Sequence, residues 1–315
     1  MSELRFSELR GEQVVYAIHR QDRTFLPDRA HCPLDPTKPG GPETEIPYPS
    51  FEIAVFDNRF PAFESGAPGG AAEVVVYTDQ HDGSFGTLDP ERAEDLMWVW
   101  RHRYAELGAR PDVDYVMIFE NRGVEVGVTL HHPHGQIYGY PFMPPVPAAE
   151  IAADERLGGC APCELLRREL ADGERMLMET DGVLAYVPHA ARWAYEVHVV
   201  MREHRPSLLE CEPQELRELS VVLQALQRGY DALFEHPFPY VMVVHQAPTA
   251  GEAGQAPPGS PQRQGHLHVE FYPPLRTADK LKFLAGSEQG AGTFISDTLP
   301  EETAAKLREA IARAA

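Results

Sequence analysis

Three histidines and a glutamine stand within the run Thr129-Leu130-His131-His132-Pro133-His134-Gly135-Gln136-Ile137-Tyr138-Gly139-Tyr140-Pro141. On an extended chain, side chains two apart share a face, so His132, His134 and Gln136 line up at intervals of roughly 7 Å. That spacing suits two linked tasks, one imidazole holding a metal while its neighbour does chemistry. Gly135, without a Cβ, lets backbone or ligand approach closely. The bland alternative is a histidine-rich loop that binds adventitious metal or nothing.

Two further sets have the spacing of metal ligands. Cys160, Cys163, His204 and His266 offer Cys-x-x-Cys with two distant histidines, a common structural zinc set, with a redox pair or plain packing as the alternatives. Cys32, Asp35, His81 and His132 repeat the pattern with a carboxylate for one thiolate, so that site is expected to be the weaker one. Four protein ligands leave no open position for water, so neither clip need be catalytic. His132 is committed to a clip, which leaves His134 as the reactive residue. A neutral imidazole can attack phosphorus directly and form a covalent phosphoramidate, and the Gln136 amide can donate to a phosphoryl oxygen without competing as an acid. No Walker or Rossmann phosphate loop appears in the sequence.

The elements that position these groups occur twice. Strands are expected over residues 11–20, 51–56, 73–78 and 114–120, and a helix from Pro90 to about Leu107, with Asp89 as N-cap and a stop at Gly108. The second half repeats the order, with a helix over 148–170 broken near Gly158-Gly159, strands at 182–187 and 195–201, a helix from Pro213 to about Phe234, and a strand at 240–245. A Pro, Gly, Gln and Ala loop over 247–265 precedes His266-Leu267-His268. His81 and His204 each precede a helix-opening proline by nine residues, and each is followed three residues on by a serine. Cys32 lies 100 residues before His132, and Cys160 lies 106 before His266. The agreement predicts a duplicated, strand-rich α+β unit, with boundaries at 1–146 and 147–315.

At 315 residues and 43% apolar content the chain can build cores for two such units. A formal net charge of −20 argues against a nucleic-acid or membrane-surface protein. The charged N-terminus has no apolar run behind it, and no stretch approaches the ~18 apolar residues of a membrane span, so a soluble, cytoplasmic protein is expected. Four cysteines in such a chain do not form a disulfide scaffold.

Ile118-Phe119-Glu120-Asn121-Arg122-Gly123, His132-Pro133-His134-Gly135-Gln136-Ile137, Phe271-Tyr272-Pro273-Pro274 and Lys282-Phe283 together resemble galactose-1-phosphate uridylyltransferases of the histidine-triad superfamily. The resemblance spans Arg20 to Glu288. It implies two similar α+β units built on antiparallel sheet and flanked by helices, a homodimer, and transfer of a uridylyl group from UDP-glucose to galactose 1-phosphate through a uridylyl-histidine. It implies His134 as nucleophile and Gln136 as the phosphoryl contact. Phe119, Asn121, Gly127 and Thr129 match positions that line the nucleotide site, Thr129 standing where serine is usual. Asn58 and Phe60 match uridine contacts, while Arg59 replaces an acidic residue. Arg20 and Arg23 match arginines that reach the nucleotide from the partner subunit, and Lys282, Phe283 and Glu288 match the hexose-phosphate side. Glu150, His245, His268 and Glu270 match a second-site iron cluster in which the last position is histidine. The cysteine pair favours zinc, one or two per chain, over iron. The runner-up activity is a nucleotidyl-sugar phosphorylase of the ADP-glucose type, and a zinc-stapled nucleotide-binding protein without turnover is the reading from another class.

Overall fold

Runs rich in β-branched residues supply the strands, because branching at Cβ favours extended backbone and packs well on a pleated surface. The computed structural model describes residues 2–22, 26–66, 68–249 and 264–315. Arg23 and most of the 247–265 loop lie outside these residues, and the counts that follow are of the described residues. In chain order the elements begin with β1 (Glu3–Ser7), β2 (Glu12–Tyr16), β3 (Ala54–Asp57), β4 (Ala71–Val76), α1 (Pro90–Gly108), β5 (Tyr115–Arg122) and β6 (His134–Tyr140). They continue with α2 (Pro145–Leu157), α3 (Ala161–Asp172), β7 (Met176–Glu179), β8 (Val183–Tyr186), β9 (Val197–Met201), α4 (Pro213–Phe234) and β10 (Tyr240–His245). The last are β11 (His268–Tyr272), β12 (Leu275–Thr277), β13 (Lys280–Leu281) and α5 (Pro300–Ala314).

Among the described residues, nine strands form one sheet in the order β3-β4-β6-β5-β10-β11-β9-β8-β7. Neighbouring strands pair antiparallel throughout. Outward from the β5–β10 seam, the first half runs β5, β6, β4, β3 and the second runs β10, β11, β9, β8. The duplication legible in the sequence is therefore present as topology, with the two half-sheets joined edge to edge. The seam register pairs Ile118 with Val244 and Glu120 with Met242.

Alternation divides the sheet into two faces. Val75, Ile118, Ile137, Met242, Val269 and Phe271 meet Leu96 and Trp100 of α1, Leu219 and Leu223 of α4 and Leu307 of α5 in one core. Each fully buried side chain of this kind contributes roughly 1.5–3 kcal/mol, so the helix-covered face carries most of the stability. His134, Gln136 and Tyr138 of β6, and His268, Glu270 and Tyr272 of β11, fall one residue out of phase and occupy the opposite face. There Phe63, Phe119 and Tyr138 form a smaller cluster against Leu4 and Val15 of the β1–β2 hairpin.

Asp89 does precede Pro90 at the start of α1, although its side chain makes no capping bond. Helix α4 opens on a reciprocal capping box between Glu212 and Glu215. Some boundaries differ from expectation. The strand over 11–20 ends at Tyr16 and gives way to a 3₁₀ turn at Ile18–Asp22. The helix over 148–170 begins at Pro145 and is two helices, because Gly158 adopts φ 71° and ends the first. No described helix is long and apolar enough to cross a membrane.

Candidate active site

His134 opens β6 at the edge of two cavities. Its Nδ1 lies 2.8 Å from the His132 carbonyl. A carbonyl can only accept, so Nδ1 carries the proton and Nε2 keeps a lone pair. Burial pushes His134 below the ordinary imidazole range, more than the carbonyl contact lifts it, so the ring is neutral. A neutral ring with a free Nε2 is the form that attacks an electrophile. Next to it, a Cβ on Gly135 would collide with the Tyr77 hydroxyl and sit 3.0 Å from the Phe119 carbonyl, so only glycine fits.

One cavity is lined by Leu34, Glu45, Phe56, Asn58, Arg59, Phe60, Thr129, His134 and Gln136. Asn58 Nδ2 lies 3.4 Å from Gln136 Oε1, and Asn58 Oδ1 accepts the Phe60 N–H at 2.9 Å. Arg59 leans on Glu45 at 3.2 Å. Arg20 donates to the Phe60 carbonyl at 3.3 Å and to the Tyr138 hydroxyl at 3.0 Å, so this arginine is placed beside Gln136 of its own chain. Phe119 is buried edge-on to Tyr138 and lines neither cavity beside His134.

The second cavity, of about 400 Å³, also reaches His134 and is lined by Asn121, Gly123, Val124, His131 and His132. Gly127 closes the turn beside it in a left-handed conformation, φ 81°. The cavity's lining also holds a group that sequence reasoning missed. Glu120, buried between Phe119 and Asn121, meets the hydroxyls of Tyr240 at 2.9 Å and Tyr77 at 3.2 Å, and burial pushes its carboxyl up to about 7. Period-two alternation along β5 could have shown that Glu120 turns inward where its neighbours turn outward.

Each half holds a ligand set. Cys160, Cys163, His204 and His266 present ligand atoms within 4.8 Å of one another, with His266 Nδ1 3.3 Å from Cys160 Sγ and 3.2 Å from Cys163 Sγ. Tetrahedral zinc, with bonds of about 2.3 Å to sulfur and 2.0–2.1 Å to nitrogen, spaces its ligand atoms by about 3.3–3.8 Å, so the set fits that metal. His266 Nε2 donates to the Met201 carbonyl at 3.0 Å, fixing the tautomer that leaves Nδ1 free to ligate. The thiol of Cys160 donates toward Cys163 and holds it well below the ordinary cysteine range. Cys32, Asp35, His81 and His132 also come within 4.8 Å. Asp35 Oδ1 lies 2.8 Å from His81 Nδ1 and 2.9 Å from His132 Nδ1, and His132 Nε2 donates to the Thr78 carbonyl at 2.7 Å. Burial would lift Asp35, but the two imidazoles outweigh it and keep the carboxylate ionised.

Glu150, His245 and His268 form a third set, with His245 Nδ1 3.1 Å from Glu150. Glu270 is shared differently. It meets Arg192 at 3.0 Å, His198 at 3.2 Å and the Tyr272 hydroxyl, and falls into a separate group with Glu196 and His198. Lys282 pairs with Glu288 at 3.4 Å and with the Ile295 carbonyl, while Phe283 is 75% exposed. None of these three lines either cavity beside His134.

Comparison with known proteins bears on this arrangement. The family model described as galactose-1-phosphate uridyl transferase, N-terminal domain, matches residues 43–144, and the corresponding C-terminal domain model matches 156–314. The galactose-1-phosphate uridylyltransferase of Thermotoga maritima is 37% identical, over 98% of both chains. The chain belongs to the galactose-1-phosphate uridylyltransferase family. The enzyme of that name from Streptomyces lividans is 36% identical over 98% of this chain and 87% of its own. A solved structure of a uridylyltransferase, 30% identical, superimposes with a TM-score of 0.86 over 99% of each chain. An ADP-glucose phosphorylase from Arabidopsis thaliana reaches 0.72 at 19% identity, covering 98% of this chain and 99% of its own, a likeness of fold alone.

Proposed function

We propose that this chain passes a uridylyl group between UDP-glucose and galactose 1-phosphate in two displacements, with His134 as the nucleophile. The observation that carries the reading is the bond from His134 Nδ1 to the His132 carbonyl, which leaves Nε2 unprotonated at the mouth of the cavity holding Gln136. Nε2 attacks the α-phosphorus of UDP-glucose, the bond to the bridging oxygen breaks, and glucose 1-phosphate leaves with the electron pair. The Nδ1 proton stays in place, and its bond to the carbonyl strengthens as positive charge develops on the ring. Gln136 donates to a non-bridging oxygen. Galactose 1-phosphate then attacks phosphorus, UDP-galactose leaves, and neutral His134 returns.

Asn58, Phe60, Phe119 and Thr129 are assigned to the nucleotide, together with Asn121, Gly127, Arg20 and Arg23. Lys282, Phe283 and Glu288 are assigned to the hexose phosphate, which a homodimer would bring to the site. Zinc is assigned to Cys160, Cys163, His204 and His266, and a second zinc to Cys32, Asp35, His81 and His132. Zinc would neutralise the thiolates of both sets, and at the Cys32 set it would fix His132, from whose carbonyl His134 hangs. Glu150, His245, His268 and Glu270 are left as the subordinate iron site. Residues 1–146 and 147–315 are taken as the two units, and the cytoplasm as the compartment.

The test is to mix the protein with UDP-glucose labelled in the uridylyl group and isolate the protein. Label on His134, discharged by galactose 1-phosphate, is expected. Discharge by inorganic phosphate alone would replace the transferase reading with the phosphorylase one, and no labelled protein would end both.

A further inference from the structure

We infer that Tyr138 is a positioning residue, whose hydroxyl fixes the Gln136 carboxamide with its amino end toward the phosphoryl group in transfer. The inference rests on the transfer reading above and adds to it the device that sets the amide. The argument is one of donor and acceptor direction. A guanidinium carries only donors, so at 3.0 Å from Arg20 the Tyr138 oxygen accepts. The single hydroxyl proton is then left for Gln136 Oε1, 3.3 Å away. A separate chain reaches the same atom. Asn58 Oδ1 is taken by the Phe60 N–H at 2.9 Å, so the end of Asn58 that faces Gln136 Oε1 at 3.4 Å is its Nδ2, again a donor.

Two independent one-way chains thus converge on Gln136 Oε1. A flipped carboxamide would set its own N–H groups against both donors, so Nε2 is the end left for the cavity. The tyrosine ring is itself held. It is 8% exposed, edge-on to Phe119 at 4.9 Å and to Phe63 at 5.8 Å between centroids. The second half repeats the relation, the Tyr272 hydroxyl reaching Glu270 with Arg192 over the ring at 4.9 Å.

The experiment is a single-turnover measurement of nucleotidyl-His134 formation, paired with equilibrium binding of UDP-glucose. It uses the full-length parent, Tyr138→Phe, Gln136→Ala, their double variant and Asn58→Asp. Removing one preorganised donor costs about 10²–10³ in rate, the loss expected for Gln136→Ala. Loosening that donor without removing it should cost about tenfold in Tyr138→Phe, with UDP-glucose affinity within about twofold. Added to Gln136→Ala, Tyr138→Phe should cost nothing more, because its effect runs through the amide. A Tyr138→Phe variant at the parent rate, or a loss that multiplies in the double variant, overturns the inference. Asn58→Asp reads the same wiring without touching Tyr138. Its carboxylate cannot donate to Oε1, so a parental rate there overturns it as well. A parent that forms no nucleotidyl-histidine ends the transfer reading and this inference with it, and shows this before any variant is compared.

Discussion

His134 and His268 hold the same place in their halves and the same bond, Nδ1 to the carbonyl two residues back, at 2.8 and 2.7 Å. Their acidities move in opposite directions. Burial lowers His134 and nothing opposes it strongly. Burial would lower His268 too, but the bond to Glu270 and the charges of Glu150 and Glu270 outweigh it and carry the ring to about 9. The residue two further on is one source of the difference, glutamine at 136 and glutamate at 270, and Glu150 beside His268 is the other. An uncharged amide leaves its histidine a nucleophile and welcomes an anion. A carboxylate turns the copy into a cationic partner and repels phosphate.

The widest separation is expected from removing each histidine. His134→Ala should abolish nucleotidyl transfer, a fall of at least about 10⁴ for loss of a covalent nucleophile, while His268→Ala keeps labelling within about threefold of the parent. Equal loss in both, by transfer assay, would erase the distinction between the halves. Converting the first half toward the second comes next. Gln136→Glu exchanges a donor for a charge and should cost about 10²–10³ in the rate of His134 labelling. Retention of activity would mean that residue 136 does not set the difference.

Glu120 tests the seam where the halves meet, since its partners Tyr77 and Tyr240 come one from each. Its folded carboxyl titrates at about 7 against an ordinary 4.5. The protonated form is the favoured one, so its contribution is complete below pH 4.5 and lost as pH rises toward 7. By the linkage relation that is about 3 kcal/mol, order of magnitude. Glu120→Gln should flatten this part of the stability profile, measured by urea unfolding from pH 4.5 to 8. An unchanged slope places the titration elsewhere.

The smallest effect separates the clips. Two thiolates bind zinc more tightly than one thiolate and one carboxylate, so chelator should strip the Cys32, Asp35, His81 and His132 clip first. Metal content should fall in two steps, activity declining with the first and helicity with the second. Asp35→Cys should merge the steps, and a single step in the parent would mean that the clips are alike or that only one fills.

The duplication was legible because cysteine, histidine and proline mark positions that chemistry or backbone geometry restricts, and each recurs at nearly the same spacing. The two cysteine-bearing ligand sets each come together, and His134 and Gln136 line one cavity, as the sequence suggested. Helix α5 escaped notice, since it carries no reactive residue and its role is to cover α4 with Leu307 and Ala310. The link from Arg20 through Tyr138 to Gln136 was beyond reach for another reason. It joins residues 118 apart in the chain, and only the path of the 3₁₀ turn at Ile18–Asp22 brings them within a hydrogen bond. Glu270 does lie beside His268, at 3.5 Å, but its oxygens also meet Arg192, His198 and Tyr272, contacts that no local pattern displays.

The seam between β5 and β10 also bears on how the chain is made. Synthesis runs at roughly 5–20 residues per second, so Tyr115–Arg122 leaves the ribosome several seconds or more before its partner Tyr240–His245 exists. Through that interval one side of Ile118, Phe119 and Glu120 is an unpaired edge, the kind of surface that templates aggregation. The nascent first half therefore has to be shielded or kept open until translation reaches β10, and a chain truncated in α4 would emerge with its centre exposed as a rim.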